Sequence, residues 1–336
     1  MKVLLTGAFG NVGISALDEL IKSGYSVRCF DLENKRNKKI AQKYKDKIEV
    51  FWGSLCDPDA IKEAVKGVEV VVHLAFIIPK LSITGKESEK EPEFARKVNV
   101  EGTRNLVKAM EALSVPPKLI FTSSLHVYGR TQDEKPPRTI FDSVNAVENY
   151  SQHKIECEKM IKDSKLNWCI FRLAATLPIS ISLNPGMFDV PIDNRIEFVH
   201  TKDVGLAIAN AVVNEAVYGK TLLIGGGKDC QFYYGTMIAQ ILNEMGVGML
   251  PEGLFSKVQF PVDWLDTTES QSLLHYQTRN LKDYINEMKR MLGIKIYFIK
   301  IFRPLVRASL IKKSPLYMEM YSRRLNNKTA PIRTDK

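Results

Sequence analysis

The sequence predicts an α/β protein built on a doubly wound parallel sheet, with a smaller C-terminal region and a basic amphipathic tail. Three observations support this prediction. Apolar strand-like runs alternate with amphipathic helix-like segments, a glycine-rich turn follows the first of these runs, and positive charge is concentrated near the end of the chain. Apolar strands that alternate with helices are typical of a parallel sheet covered on both faces.

The first strand–helix–strand unit shows this alternation most clearly. Residues 2–6 form a short apolar run, and residues 12–23 carry apolar side chains at helical spacing. Gly24 stands where a helix is expected to end. Residues 26–31 then form a second strand that closes at Asp31. The unit therefore has the length and order of one parallel crossover connection.

The same alternation continues along the chain and loosens after residue 173. The next strands are predicted at 47–52, 68–74, 118–123 and 168–173, and the next helices at 58–66, 93–113 and 149–163. We expect loops at 80–92 and 174–199, helices at 201–214, 231–244 and 278–292, and a strand at 221–224.

The glycine-rich turn carries the first indication of function. Gly7, Gly10 and Gly13 follow a strand and open a helix. Glycines allow the backbone to bend sharply and approach a pyrophosphate, while the helix N-terminus directs its N–H groups at the phosphates. Asp31 stands where a carboxylate accepts hydrogen bonds from a ribose and repels a 2′-phosphate. We therefore predict NAD rather than NADP, although the basic cluster at 35–39 offers a partner for that phosphate.

Further motifs follow in order across residues 3–227. They are His73-Leu74-Ala75, Asn99-Val100-Glu101-Gly102-Thr103, Phe121-Thr122-Ser123-Ser124-Leu125-His126-Val127-Tyr128-Gly129, Tyr150-Ser151-Gln152-His153-Lys154, Phe171-Arg172 and Phe198-Val199-His200-Thr201-Lys202-Asp203-Val204. Together with the glycine turn, this series resembles the extended short-chain dehydrogenase/reductases of the NAD-dependent epimerase/dehydratase group. The resemblance implies a Rossmann-type fold and an enzyme that transfers hydride with a nicotinamide cofactor.

Three side chains are the candidate catalytic residues. Hydride transfer at a carbinol carbon needs a proton to move on or off the oxygen, and Tyr150 is the candidate acid and base. A phenol with a pKa of ~10 needs a nearby cation to act at neutral pH, and Lys154 lies one helical turn further on. The resemblance implies that Lys154 also holds the nicotinamide ribose and that Ser124, rather than Ser123, bonds the substrate oxygen.

The resemblance also implies a set of cofactor-binding residues. The predicted set is Gly7, Phe9, Gly10, Asn11, Val12, Gly13, Asp31, Ser54, Leu55, Leu74, Ala75, Phe76, Asn99, Thr122, Tyr150 and Lys154. We expect His126 and His153 to be structural or rim residues. Because the five histidines lack the spacing of metal ligands, no metal is predicted.

Departures from the family pattern narrow the reaction. Leu125 and His126 stand where sugar-nucleotide 4,6-dehydratases carry an Asp-Glu pair, which argues against that reaction. Only 27 residues separate Arg172 from His200, which leaves little room to bind a uridine diphosphate. Residues 76–79 are apolar where a sugar diphosphate would need cations.

These departures favour a dehydrogenase or ketoreductase that acts on a small, apolar secondary alcohol or ketone. Two alternatives remain open. One is a nucleotide-sugar 4-epimerase of the UDP-hexose type with bound NAD, and the other is a catalytically silent NAD(H)-binding protein. We divide the chain into an NAD-binding domain at 1–173, a substrate-binding region interleaved with the last sheet elements at 174–292, and a tail at 293–336.

The tail holds most of the excess charge. The net charge is +10, and thirteen of the 48 Lys and Arg residues, but only two of the 38 Asp and Glu residues, lie at 289–336. In a helix over 294–313, Lys300, Arg303 and Arg307 fall within about 60° of one another, opposite an apolar face, and Pro304 kinks the helix. We predict attachment to an anionic membrane surface. The alternative is a helix that caps the protein's own core or a dimer seam.

Composition limits the remaining partners and the compartment. The chain outside the tail is close to neutral, so nucleic-acid binding is not predicted. The five cysteines lack the C-x-x-C spacing of a zinc or redox site. The apolar stretch at the N-terminus is too short for a signal peptide. No apolar run in the sequence is long enough to span a bilayer as a helix. We expect a cytoplasmic homodimer that associates with membranes.

Overall fold

The structure is a computed structural model that describes residues 1–80, 85–179 and 185–319. Part of the apolar loop expected at 174–199, namely residues 180–184, and the end of the tail from residue 320 lie outside these ranges.

Seven parallel strands form the main sheet. The described residues contain two further strands outside this sheet, β7 and β9, and the full set in chain order is β1 (Lys2–Thr6), β2 (Ser26–Asp31), β3 (Ile48–Trp52), β4 (Val70–His73), β5 (Lys118–Ser124), β6 (Trp168–Leu173), β7 (Arg195–Glu197), β8 (Thr221–Ile224) and β9 (Gln231–Tyr233). The order in the main sheet is β3-β2-β1-β4-β5-β6-β8, and β7 pairs with β9. The strand order reverses between β1 and β4, which is the point at which ligands bind to sheets of this kind.

The described residues contain twelve α-helices, of which the first seven in chain order connect the parallel strands and the last five follow the final strand of the main sheet. They are α1 (Asn11–Lys22), α2 (Lys35–Ala41), α3 (Pro58–Ala64), α4 (Pro92–Arg96), α5 (Gly102–Glu111), α6 (Asn149–Lys162), α7 (Thr201–Ala211), α8 (Tyr234–Glu244), α9 (Thr268–Leu274), α10 (Leu281–Leu292), α11 (Lys295–Ile301) and α12 (Arg303–Ile311). A π-helical turn at Lys97–Glu101 joins α4 to α5.

The sheet is buried on both faces, as the apolar strands predict. On one face, Leu4 of β1 and Phe121 of β5 pack in a core cluster with Met110 of α5. On the other face, α1 lies against α7 at Gly205, where a Cβ atom would come within 2.4 Å of the Ser15 carbonyl oxygen. This close approach of two helix backbones explains the glycine in α7. The doubly wound α/β fold predicted from the sequence is confirmed.

Several details differ from the sequence-based prediction, and one is β7, which lies inside the loop predicted at 174–199. The predicted helix at 93–113 is interrupted by the π-helical turn, and the basic cluster at 35–39 belongs to α2, which the sequence did not indicate. The first three residues of the predicted helix at 231–244 form β9 instead. The helix predicted from residue 278 begins at Leu281, because the N–H groups of the preceding residues 278 and 279 donate to the Asp203 carboxylate at 3.0 and 2.8 Å.

The chain forms two compact units. The first comprises Met1–Pro178, Ile196–Gln231 and Pro261–Leu281, and it contains the main sheet. The second comprises Ile179–Arg195, Phe232–Phe260 and Lys282–Lys336, and it contains α8, α11 and α12. No helix within 1–80, 85–179 or 185–319 is long and apolar enough to cross a bilayer.

Candidate active site

The glycine turn lies at the carboxyl end of β1 and requires its glycines. Gly7 has a φ of +66°, which favours glycine, and a Cβ atom there would lie 2.8 Å from the Ala75 backbone nitrogen. A Cβ atom on Gly13 would lie only 2.1 Å from the Gly7 carbonyl oxygen. The turn leads into α1 with Gly10 at the N-cap. The sequence thus places a helix N-terminus, which favours anions, directly behind a closely packed turn.

Asp31 connects this turn to the end of β2. Its carboxylate accepts hydrogen bonds from the backbone N–H groups of Phe9 at 2.9 Å and Leu32 at 2.8 Å, and from the Asn37 amide at 3.2 Å. Burial raises the pKa of Asp31, and these hydrogen bonds oppose that increase. Arg36 donates to the Phe9 carbonyl oxygen at 2.8 Å. At least this member of the basic cluster therefore braces the turn.

A cavity of about 680 Å³ in the first unit joins the glycine turn to Tyr150 and Lys154. It is lined by fourteen of the predicted cofactor-binding residues: Gly7, Gly10, Asn11, Val12, Gly13, Asp31, Ser54, Leu55, Leu74, Ala75, Phe76, Thr122, Tyr150 and Lys154. The cavity follows the carboxyl edge of the sheet across β2, β1, β4 and β5. One continuous space therefore brings together most of the residues selected from the sequence.

Two predicted cofactor-binding residues lie behind the cavity wall. The Phe9 side chain is fully buried and packs on Trp52, with ring centres 5.6 Å apart. The Asn99 amide accepts from the Ile77 N–H at 2.7 Å and donates to the Ile77 carbonyl at 2.9 Å. Both side chains therefore shape the wall from behind, and Asn99 fixes the loop that follows β4.

Several lining residues were not indicated by the sequence. They include Asn34, Asn37, Gly53, Cys56, Phe94, Leu173, Thr176 and Pro178. Asn34 could have been found from the sequence, because asparagine is a preferred residue at a helix N-cap. In the structure it caps α2 and accepts a hydrogen bond from the Asn37 N–H at 2.9 Å. The other residues reach the cavity from loops and helices whose positions depend on tertiary packing.

The three candidate catalytic side chains lie together at the junction of β5 and α6. Ser124 is close enough to Tyr150 to lower the pKa of its phenol. The Lys154 ammonium donates to the Thr122 carbonyl oxygen at 2.5 Å and lies 3.5 Å from the centre of the Phe76 ring. Phe76 in turn contacts Tyr150 edge-on, with ring centres 5.8 Å apart.

Burial dominates the electrostatics of this group. It raises the pKa of Tyr150, although Ser124 partly opposes the increase. Burial also lowers the pKa of Lys154 to about 7, against the opposing effect of Cys157 and Glu158. The Thr122 carbonyl and the Phe76 ring both favour the ammonium form of Lys154.

His126 and Glu148 flank the same tyrosine. His126 Nδ1 bonds Glu148 Oε1 at 2.5 Å, and the His126 ring meets the Tyr150 ring at 90° with centres 5.7 Å apart. Glu148 also forms a capping box with Ser151 at the start of α6. The pair therefore helps to fix the helix end that carries Tyr150. The prediction that His126 is a structural or rim residue remains a prediction.

A buried ion pair fixes α6 on the sheet. Glu158 accepts hydrogen bonds from Arg172 at 2.7 and 3.0 Å and from Ser123 at 2.6 Å. Glu158 and Lys154 lie one turn apart on α6. The Glu158–Arg172 ion pair therefore also helps to position Lys154 over β5. Within the described ranges, no group of three or more His, Cys, Asp or Glu residues is arranged to hold a metal ion.

The match to a family model covers the candidate active site from the glycine turn to Arg172. The model of the NAD dependent epimerase/dehydratase family matches residues 3–177, which are just over half of the chain. The chain belongs to this family. Membership agrees with the resemblance inferred from the motifs.

Relatives that match parts of the chain have names that indicate different activities. The chain is 25% identical over 213 residues to the photosystem II assembly factor Ycf39 of Cyanophora paradoxa, with coverage of 63% of this chain and 56% of the relative. It is 32% identical over 129 residues to a UDP-N-acetyl-alpha-D-glucosaminuronate decarboxylase of Bacillus cytotoxicus, with coverage of 38% of each protein. It is 31% identical over 166 residues to a 3 beta-hydroxysteroid dehydrogenase/Delta 5-->4-isomerase of Mycobacterium tuberculosis, with coverage of 48% and 42%. The chain thus spans about half the length of these relatives or less.

Solved structures support the fold. A short-chain dehydrogenase/reductase superfamily protein from Agrobacterium tumefaciens, solved with bound NAD, has a TM-score of 0.69 at 20% identity. The match covers 89% of this chain and all of that protein. At this identity the similarity establishes the doubly wound architecture alone.

Proposed function

We propose that this protein is an NAD-dependent dehydrogenase or ketoreductase that transfers hydride at a secondary alcohol or ketone of a small, apolar substrate. The observation that carries the proposal is the single cavity lined by the glycine turn, Asp31, Tyr150 and Lys154. A cofactor site and a proton-transfer pair in one cavity are the two parts that a hydride-transfer reaction requires.

The residues of the turn fit a dinucleotide. The backbone at Gly7 and Gly13 leaves no space for a Cβ atom, the start of α1 offers a positive dipole end, and Asp31 borders the cavity. These groups would hold the pyrophosphate and the adenosine ribose, and the Asp31 carboxylate disfavours a 2′-phosphate. When bound, NAD would supply the hydride acceptor or donor. The NAD-binding solved neighbour supports this choice.

The chain's own residues would move the proton. In ketone reduction, Tyr150 Oη donates its proton to the substrate oxygen while hydride reaches the carbonyl carbon. In alcohol oxidation, the hydroxyl proton passes to Tyr150 Oη as the carbinol hydrogen leaves as hydride. Because burial raises the pKa of Tyr150, the phenol form that donates is favoured. An ammonium on Lys154 stabilises the phenolate that oxidation needs, and Ser124 orients the substrate oxygen.

The lining of the cavity near Tyr150 favours an apolar substrate. Phe76, Ile77, Ile78 and Pro178 all border the cavity. A sugar diphosphate would need charged hydrogen-bond donors in this region. The steroid dehydrogenase relative supports an apolar alcohol, whereas the decarboxylase relative acts, by its name, on a nucleotide sugar. Lys86 and Lys97 also line the cavity, so the preference for the first class rests on these four apolar side chains.

The test compares the two substrate classes on the purified protein. Full-length protein is supplied with NAD and either a panel of hydroxysteroids and other apolar secondary alcohols or UDP-hexoses. We expect reduced nicotinamide to accumulate with members of the apolar panel. Interconversion of UDP-hexoses without net formation of NADH would identify an epimerase instead. Bound cofactor with no turnover in either panel would favour a silent NAD(H)-binding protein.

We further propose how the chain is organised and where it acts. Residues 1–173 would bind NAD, 174–292 would contribute to substrate binding, and 293–336 would attach the protein to an anionic membrane surface. Pairing of α5 and α6 across a two-fold axis would form a homodimer. A cytoplasmic location is supported by the five cysteines, which are all free thiols.

A further inference from the structure

An exposed apolar stripe runs along α11 and the start of α12 in the second unit. Its members recur at intervals of three and four residues, which places them on one helical face. They are between 50% and 71% exposed: Ile294, Tyr297, Phe298, Ile301, Phe302 and Leu305. Scattered exposed apolar side chains are ordinary, but six in twelve residues form a contiguous patch of the kind that marks an interaction surface.

The opposite face of the same helices binds the protein. Arg303 Nε donates to the Val247 carbonyl oxygen at 3.0 Å. Arg307 donates to the carbonyl oxygens of Val247, Gly248 and Met249 at 3.0, 3.0 and 2.7 Å. These carbonyls directly follow α8, where the helix dipole also favours a cation. These hydrogen bonds from the arginines fix the orientation of α12 and leave the apolar stripe exposed.

This arrangement is the reverse of a helix that caps the core. A capping helix would bury the stripe and leave the arginines solvated. The sequence correctly predicts two opposed faces and the break before Pro304, which lies in the first turn of α12. The alternative in which the apolar face covers the protein's own core does not match the exposed side chains.

Positive charge is concentrated in the segment that carries the stripe. The segment from Met288 to Met318 contains eight Lys and Arg residues and no Asp or Glu. Lys295, within the segment of the stripe, and Lys312 and Lys313, which follow α12, are exposed. An apolar and aromatic centre with a cationic border matches the boundary between the headgroups and acyl chains of an anionic bilayer.

We propose that the α11–α12 stripe docks on an anionic membrane surface, with both helices lying in the plane of the interface. Charge decides between this surface and a second copy of the chain, because two copies joined at the stripe would bring their cationic borders together. The inference rests on the proposed function in one respect: an apolar substrate would partition into the same membrane.

The experiment measures co-sedimentation of the full-length protein with vesicles. Phosphatidylcholine vesicles are compared with phosphatidylcholine–phosphatidylserine vesicles at low and high salt. The test variant is Phe298→Asp/Ile301→Asp, which places two charges in the stripe. The matched control is Phe141→Asp/Val115→Asp, because these residues are 90% and 82% exposed in the first unit and undergo the same types of change.

We expect the wild-type protein and the control to sediment with the anionic vesicles and to be released by salt. The test variant should lose roughly tenfold or more of its binding. Equal sedimentation of the test and control variants would overturn the proposal, as would failure of the wild-type protein to sediment with anionic vesicles. A wild-type dimer that the test variant converts to a monomer would identify the stripe as a self-association surface and would also overturn it.

The vesicle result is independent of catalysis. Binding of NAD, measured in solution, reports on the cavity of the first unit and should be the same in all three proteins. Vesicle binding without turnover of any apolar alcohol would contradict the proposed function and leave the docking surface intact. Turnover of an apolar alcohol without vesicle binding would contradict the docking surface and leave the proposed function intact.

Discussion

Gly13→Ala is the most direct perturbation of the glycine turn. The added methyl group would lie 2.1 Å from the Gly7 carbonyl oxygen and 2.7 Å from the Ala8 carbonyl oxygen. Both atoms belong to the backbone and cannot rotate away as a side chain can. Overpacking of this kind costs about 1–3 kcal/mol. If the turn relieves the overlap by opening away from α1, the affinity for NAD should fall by about fivefold to 150-fold.

Isothermal titration calorimetry of NAD binding to wild-type protein and Gly13→Ala measures this loss of affinity. Two further glycine variants serve as controls. Gly205→Ala introduces a comparable backbone overlap, 2.4 Å from the Ser15 carbonyl oxygen, but between α1 and α7. It should lower the melting temperature while the folded protein still binds NAD. Gly253→Ala should change neither property, because no atom of the described chain lies within 4 Å of the added Cβ. Wild-type affinity for NAD in Gly13→Ala would refute the reasoning.

Three further predictions concern buried charges. Asp31→Ala should weaken NAD binding by roughly tenfold and narrow the preference for NAD over NADP. Titration of both cofactors into wild-type and variant protein would show this. Tighter binding of NADP than of NAD by the wild type would contradict the role of Asp31 in selecting NAD. Burial raises the pKa of Glu158, but the opposing hydrogen bond and charge of Arg172 leave it below the ordinary 4.5. Its contribution to stability is therefore complete above about pH 4.5 and is lost as the pH falls through the lower native value. Glu158→Gln should cost about 3–5 kcal/mol at neutral pH in denaturant unfolding, and much less in acid. Because burial lowers the pKa of Lys154 from 10.5 to about 7, the stability of the cofactor-free wild type should rise with pH across that interval. Lys154→Met should remove this slope, and an unchanged slope would show that other groups cause it.

The sequence predicted the parts of the fold that depend on local pattern. Apolar runs located the strands of the main sheet, and the glycine turn located the cofactor edge because strand, turn and helix are adjacent in the chain. The departures have tertiary causes. The start of α10 depends on Asp203, which lies about 75 residues earlier in the chain, and β9 depends on pairing with β7.

The candidate site shows the same limit. Its polar residues stand in recognisable motifs, whereas its apolar wall is assembled from separate segments that include Phe94 and Pro178. For the tail, helical spacing predicted the two faces of α11 and α12. It could not predict which face turns inward, because the acceptors for Arg307 are backbone carbonyls at 247–249.

The most direct test of the central claim is the rate of NADH formation from NAD and an apolar secondary alcohol by wild-type protein and Tyr150→Phe. The variant keeps the ring that contacts Phe76 and removes only the hydroxyl. Tyr233→Phe is the matched control, because Tyr233 is 53% exposed and lies in the second unit. We predict a loss of turnover of roughly 10²–10⁴-fold in Tyr150→Phe with unchanged affinity for NAD, and wild-type turnover in the control. Turnover by Tyr150→Phe close to that of the wild type would contradict the account.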